Sequence, residues 1–180
     1  MFAGDMARDM VKPLFLIGYR GTGKTTVARQ LAERLACEWV DADDLVEERA
    51  GKSIAQIFAD DGELAFRDLE AAVVRELCGR LGCVVALGGG AVLREDSRRA
   101  IGEAGPVVWL RAGVESIMAR LAADAATSSR RPKLTSAGGR EEIETVLAAR
   151  TPIYEACATL IVDTDGKTAV EVADEIIARL

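Results

Sequence analysis

"LIGYRGTGKTTVARQLAERL", residues Leu16–Leu35, decides the fold. Gly18, Gly23, Lys24 and Thr25 fit the pattern G-x-x-x-x-G-K-T. The apolar run "PLFLIG" (Pro13–Gly18) leads into it and reads as a strand buried on both faces. Behind it, Ala28, Leu31, Ala32 and Leu35 fall on one helical stripe. The motif therefore joins a strand to a helix, the context it requires. Its glycines let backbone N–H groups curl around phosphate oxygens, and the helix N-terminus adds about half a positive charge. Lys24 then faces the outer phosphates and the Thr25 hydroxyl reaches magnesium, so a nucleoside triphosphate binds here.

Working outward, "CEWVDAD", "CVVALGGG", "PVVWLRA" and "ATLIVDT" read as four further strands with helical segments between them. Strands alternating with helices indicate a parallel sheet covered on both sides. Between the second and third strands a helical stretch runs from Ser53 to Leu81, interrupted by the turn-like "DDG" at Asp60–Gly62. It reads as an inserted helical region. Ala173, Ile176, Ile177 and Leu180 stand at i, i+3, i+4, i+7, as in a final helix packing on the sheet. The segment Asp124–Glu142, rich in Ser, Thr, Gly and Arg, is expected to be a long functional loop.

Composition narrows the function. The chain has 180 residues, 49% hydrophobic, enough for one domain with a real core. Its net charge of -6 and 4% aromatic content oppose nucleic-acid binding, so an anionic ligand needs locally clustered Arg and Lys. No apolar run approaches the ~18 residues of a membrane helix. The start, "MFAGDMARDMVK", reads as a non-targeting tail, and a cytoplasmic protein is expected. Histidine and asparagine are both absent, which removes His-based acids, bases and triads and an Asn-Lys-x-Asp guanine box. Cys37, Cys78, Cys83 and Cys157 lack metal-site spacing and read as buried thiols.

Three further stretches carry candidate chemistry. In "VDADD", Asp41 and Asp43 lie two apart and, on a strand, would point together to the carboxyl end of the sheet. One could support magnesium waters while the other orients or deprotonates an acceptor hydroxyl. Alternatively, this is an acidic turn in which Asp43 or Asp44 caps a helix. In "ELAFRDLE", Arg67 and Glu70 at i, i+3 could clamp a substrate carboxylate or form an ordinary surface pair. In "LGGGA", Gly88, Gly89 and Gly90 mark a place where something comes close to the backbone, or a tight turn.

Five ordered blocks, "GYRGTGKTT", "VDADD", "FRDLE", "LGGGAV" and "RRPKL" followed by "ARTPIY", resemble the shikimate kinase family from about Leu14 to the C-terminus. The resemblance implies an α/β fold of P-loop kinase type: three α/β/α layers on a five-stranded parallel sheet, with an inserted helical substrate-binding region and a lid loop. In these terms residues 1–12 form a flexible tail and 13–180 one kinase domain, with the substrate-binding region at about 43–80 and the lid at about 124–140. It implies ATP-dependent phosphorylation of the 3-hydroxyl of shikimate, with Mg2+ as cofactor, by a protein expected to be monomeric.

Carried over by position, Asp43 meets the acceptor hydroxyl as candidate base, and Arg67 and Arg150 grip the shikimate carboxylate. Gly88, Gly89 and Gly90 line the ring. ATP falls to Gly21, Thr22, Gly23, Lys24, Thr25 and Thr26, with Arg120 against adenine and Arg131 descending from the lid onto the transferring phosphate. Metal contacts fall to Thr25 and, through water, Asp41. Lys24, Asp43 and Arg131 form the catalytic set. The chain departs from the family pattern at Ala86 and Leu87, where a hydroxyl often precedes the glycines, and at Lys133, where Leu is common. The rival readings are a gluconate- or nucleotide-kinase-like enzyme and a non-catalytic nucleotide-binding module. The role of Arg20 stays open.

Overall fold

The structure is a computed structural model and describes residues 12–123 and 139–180. Residues 124–138 of the loop expected at Asp124–Glu142 therefore lie outside the described residues, as does the tail up to residue 11. Five parallel strands build the sheet: β1 (Leu14–Ile17), β2 (Glu38–Asp41), β3 (Cys83–Ala86), β4 (Val107–Arg111) and β5 (Leu160–Asp163). Their order is β2-β3-β1-β4-β5, with β1 at the centre. From β1 the chain first builds one side of the sheet and then crosses to the other. That reversal opens a crevice at the carboxyl ends of the strands, where open α/β sheets hold ligands.

Period-two alternation splits the core into two layers. Leu14, Leu16, Val84, Ala86, Val108 and Leu110 face helices α1 (Lys24–Leu35) and α8 (Ala169–Arg179), whose Leu31, Leu35, Ala173 and Ile176 complete that layer. Phe15, Ile17, Val85, Val107 and Trp109 face the opposite way. There they meet α2 (Ala42–Ala50), α3 (Ile54–Asp60), α4 (Gly62–Cys78) and α5 (Glu95–Ala104). Helices α6 (Val114–Ala123) and α7 (Gly139–Cys157) flank the segment outside the description. The expected α/β three-layer architecture with a five-stranded parallel sheet is the one observed.

The inserted helical stretch is α3 and α4, broken at Asp61, which stands between Asp60 and Gly62. Ser53 starts α3 through a capping box with Gln56, and Thr168 starts α8 in the same way with Glu171. Two expectations need correction. The second strand stops at Asp41, and Asp43 lies in the first turn of α2. The physical reason is the Asp41 side chain, which accepts the Asp43 N–H and caps the helix, so the cap is neither Asp43 nor Asp44. The loop drawn to Glu142 is already helical from Gly139, with Glu141 and Glu142 in a first turn that favours acids. The cysteines form no disulfide; Cys83 is buried and the other three are half-buried. Burial pushes all four thiols up, away from reactive thiolates.

Candidate active site

Two clefts meet over the carboxyl end of β1. The first is lined by Gly21, Gly23, Lys24, Thr25, Thr26, Asp41 and Arg120, together with Arg20, Leu87 and Leu121. Its floor is the glycine loop between β1 and α1. Gly18 has φ +138°, and a Cβ there would stand 2.5 Å from the Leu110 carbonyl oxygen, so no side chain fits where the loop crosses β4. Gly23, at φ +91°, starts α1 in the left-handed region and leaves the helix N-terminus open to the cleft.

Lys24 is buried and reaches back along the loop, its Nζ donating to the carbonyls of Gly18 at 2.8 Å and Tyr19 at 2.9 Å. The ammonium thus sits inside the curl of the loop. Thr22 is turned inward, its hydroxyl donating to the Tyr19 carbonyl at 2.8 Å, so it offers this cleft no side chain. Arg120 spans the far wall, donating to the hydroxyl of Thr164 at 2.9 Å and its carbonyl at 2.7 Å.

The Thr25 hydroxyl donates to Asp41 Oδ2 at 2.7 Å, and the other Asp41 oxygen accepts the Asp43 N–H at 3.0 Å. Burial raises the Asp41 pKa above the usual aspartate value, and the nearby Asp43 charge adds to the rise. A half-buried carboxylate beside a threonine hydroxyl suits a hard, oxygen-seeking cation that keeps its waters. Among the described residues, no group of three or more His, Cys, Asp or Glu could cage a metal. The donor set therefore fits a magnesium ion that arrives with phosphates rather than one held by the protein alone.

The second cleft gathers Asp43, Arg67, Gly88, Gly89, Gly90 and Arg150 against an apolar wall of Ile54, Phe58 and Phe66. Glu70, Tyr19 and Arg20 complete the lining. Arg67 on α4 is held by Glu70 one turn on, Nη1 to Oε2 at 2.6 Å. Burial raises the Glu70 pKa although Arg67 opposes it, so the pair sits in a dry pocket rather than on a solvated face. The surface-pair reading of "FRDLE" is thereby set aside.

The triple glycine lies under these side chains. A Cβ on Gly88 would come within 2.5 Å of Asp43 Oδ1, and one on Gly90 within 2.4 Å of Arg67 Nη1. The segment does turn, the Ala91 N–H donating to the Gly88 carbonyl at 3.1 Å, but none of the three has a left-handed backbone, so it is the close approach that requires glycine. From α7, Arg150 and Tyr154 both donate to the Gly89 carbonyl, at 3.0 and 2.6 Å. Burial raises the Tyr154 pKa, which keeps its hydroxyl a donor. Tyr154 escaped the sequence reading, although its i, i+4 spacing from Arg150 in "ARTPIY" was an available signal.

Every expected acceptor-site residue thus lines one cleft. Asp41 and Asp43 do not share a cleft, because the helix begins between them. Arg131 lies outside the described residues, as does Lys133. Leu87, one of the two departures from the expected hydroxyl, lines the phosphate-loop cleft.

Comparisons with known proteins point to one family. A family profile described as shikimate kinase matches residues 20–180. The chain is 46% identical to a shikimate kinase of Rhodopirellula baltica over 174 residues, covering 96% of this chain and 93% of that one. A shikimate kinase of Chromohalobacter salexigens is 42% identical, covering 92% and 90%. A solved structure of shikimate kinase from Acinetobacter baumannii in complex with shikimate superposes with a TM-score of 0.89 at 32% identity, covering 96% of both chains.

Proposed function

This chain belongs to the shikimate kinase family, and from that membership and the paired clefts we propose how its residues divide the reaction. The reaction is transfer of the terminal phosphoryl of ATP to the 3-hydroxyl of shikimate, giving shikimate 3-phosphate and ADP on the route to chorismate and the aromatic amino acids. One observation carries the assignment of residues: Arg67, Arg150, Asp43 and the triple glycine, from four separate segments, line a single cleft beside the phosphate loop. Gluconate and nucleoside monophosphates are anions as well, so the comparison of acceptors below discriminates among the three.

In this reading Arg67 and Arg150 take the shikimate carboxylate, since a planar fork matches a carboxylate's two oxygens. Gly88, Gly89 and Gly90 let the ring lie on the backbone. Asp43 accepts the hydrogen bond of the attacking hydroxyl and orients it, with proton removal following late because the transition state is loose. Lys24 and the amides of Gly21, Thr22, Gly23 and Thr26 neutralise the outer phosphates, and Arg120 lies against the adenine. Thr25, and Asp41 through water, would hold Mg2+, which supplies charge neutralisation to the polyphosphate when bound. Arg131 is assigned to the transferring phosphate from its position in "RRPKL" alone. Helices α2 to α4, about residues 43–80, form the acceptor region of one kinase domain spanning 13–180, with a lid at about 124–140. No described helix is long and apolar enough to cross a membrane, and a cytoplasmic monomer binding neither membrane nor nucleic acid completes the reading.

A coupled ADP-release assay tests it, with shikimate, gluconate and nucleoside monophosphates compared as acceptors. Shikimate-dependent ADP production is expected. Equal ADP release without shikimate, or faster release with gluconate, overturns the reading. Nucleotide binding with no turnover on any acceptor would point instead to a non-catalytic module.

A further inference from the structure

Among the described residues, Arg20 is the one residue that lines both clefts. It stands at the third position of the phosphate loop, where a kinase needs neither charge nor bulk to shape the turn. A phosphoryl group passing from one cleft to the other must cross the seam that Arg20 occupies.

The guanidinium there is anchored from far along the chain. Its Nη2 pairs with Oε1 of Glu142, in the first turn of α7. Glu142 is 1% exposed, whereas the Arg20 side chain keeps 18% exposure toward the clefts. The Tyr19 ring packs beside the same guanidinium, its centroid 5.7 Å from Cζ. A buried ion pair is poor evidence for stability, because its desolvation offsets most of its attraction. What it does fix is direction. A guanidinium carries five donors and a delocalised charge, so it can be anchored at one edge and still present positive potential at another.

We propose that Glu142 is a positioning residue for phosphoryl transfer, holding the Arg20 guanidinium at the seam of the two clefts so that it faces the phosphoryl group in transit. The proposal rests on the phosphotransfer reading above. In the transition state, negative charge spreads over the equatorial oxygens of the migrating group. A cation already aimed at that point stabilises it without reorganising, whereas a loose arginine must first be ordered. The effect belongs to the transition state, so it is read in kcat rather than in either Michaelis constant.

Removal of the Glu142 charge separates positioning from simple field strength. If only the local potential mattered, Glu142→Gln would leave Arg20 more effective, and turnover would hold or rise. If Glu142 positions Arg20, turnover falls. The experiment is steady-state kinetics with ATP and shikimate varied in turn, on Glu142→Gln, Arg20→Met, Arg20→Lys and the double variant Arg20→Met/Glu142→Gln. Folding is checked by near-ultraviolet circular dichroism and thermal melts.

Glu142→Gln is expected to lower kcat by at least about five-fold, with both Michaelis constants within about three-fold of wild type. Arg20→Met should lose more, Arg20→Lys should recover part of it, and the double variant should be no worse than Arg20→Met alone. An unchanged or raised kcat in folded Glu142→Gln overturns the proposal, as do losses that multiply in the double variant. If Glu142→Gln does not fold, wild-type kcat in folded Arg20→Met overturns it equally well. Loss of shikimate-dependent turnover in the wild-type enzyme would instead overturn the parent reading.

Discussion

Replacing Gly90 by Ala is the sharpest test of Arg67 as the acceptor's anchor, because it displaces the guanidinium without touching it chemically. The added Cβ would lie 2.4 Å from Arg67 Nη1 and 2.9 Å from both Cζ and Nη2. Ordinary contact between such atoms is about 3.5 Å, so the guanidinium must retreat by about 1 Å. Gly90 is absent from the glycines with left-handed backbone, so alanine is conformationally acceptable and the fold should persist. The retreat breaks the two-pronged geometry toward a carboxylate and strains the 2.6 Å pair with Glu70. A charge-assisted hydrogen bond contributes about 1.5–3 kcal/mol, which is roughly a ten-fold to a hundred-fold effect on affinity. Gly90→Ala should therefore raise the Michaelis constant for shikimate by at least about ten-fold, while that for ATP stays within about two-fold. In an Arg67→Ala background the same change should add little, since its target is gone. The assay is coupled ADP release with each substrate varied in turn, alongside a thermal melt. An unchanged shikimate constant, or a rise of both constants in parallel with a lower melting temperature, would refute the role given to Arg67.

Gly88→Ala aims at a different atom, with its Cβ 2.5 Å from Asp43 Oδ1, and should lower kcat more than it raises either Michaelis constant. Lys24→Ala should cut turnover at least about a hundred-fold in folded protein, measured by ADP release, because the cation facing the outer phosphates is lost. Asp43→Asn should leave nucleotide affinity nearly intact by calorimetry and still cut turnover strongly; collapse of nucleotide affinity with turnover preserved would make Asp43 a structural residue. Asp41 supplies a pH test. Its raised pKa means that protonation, which discharges the carboxylate, sets in at a higher pH than for an ordinary aspartate. Affinity for magnesium-ADP should therefore weaken as pH falls from about 8 to 5 in the wild type and be flatter in Asp41→Asn, by calorimetric titration; identical profiles would separate Asp41 from the metal.

The parts of this molecule that sequence reveals are those where one local rule decides the outcome. The strand before Gly18 and the helix after Gly23 follow from apolar periodicity and from a motif whose every position has a steric or electrostatic reason. The other four strands read as similar short apolar runs between helical segments, whereas the sorting of their side chains into two core layers is seen only in the structure. "VDADD" resisted because two local rules compete there. Period two would carry a strand through Asp43, but the Asp41 side chain accepts the Asp43 N–H at 3.0 Å and turns the backbone into α2. The two aspartates consequently stand in different clefts. Glu142 resisted for another reason: nothing near it in sequence explains a carboxylate that is 1% exposed. Its partner, Arg20, lies at the far end of the chain from α7, and only the fold brings them together.

The division between Asp41 and Asp43 bears on why one short acidic run can serve two substrates. A strand would present both carboxylates to one side, about 7 Å apart, where two negative charges would compete for one cation. Ending the strand at Asp41 rotates Asp43 about a helix axis and sends it to the acceptor cleft with Arg67, Glu70 and Arg150. Asp41 stays with Thr25 in the phosphate-loop cleft. The N–H of Asp43 bonded to Asp41 ties the two together, so in the proposed division of roles the Asp41 side chain also helps to place the backbone that carries Asp43. Substitution of Asp41 by Asn keeps an oxygen acceptor for that N–H, whereas Ala removes it. Asp41→Ala should consequently weaken shikimate turnover beyond the loss that Asp41→Asn produces at saturating magnesium-ATP. Equal losses would show that the cap contributes nothing to placing Asp43.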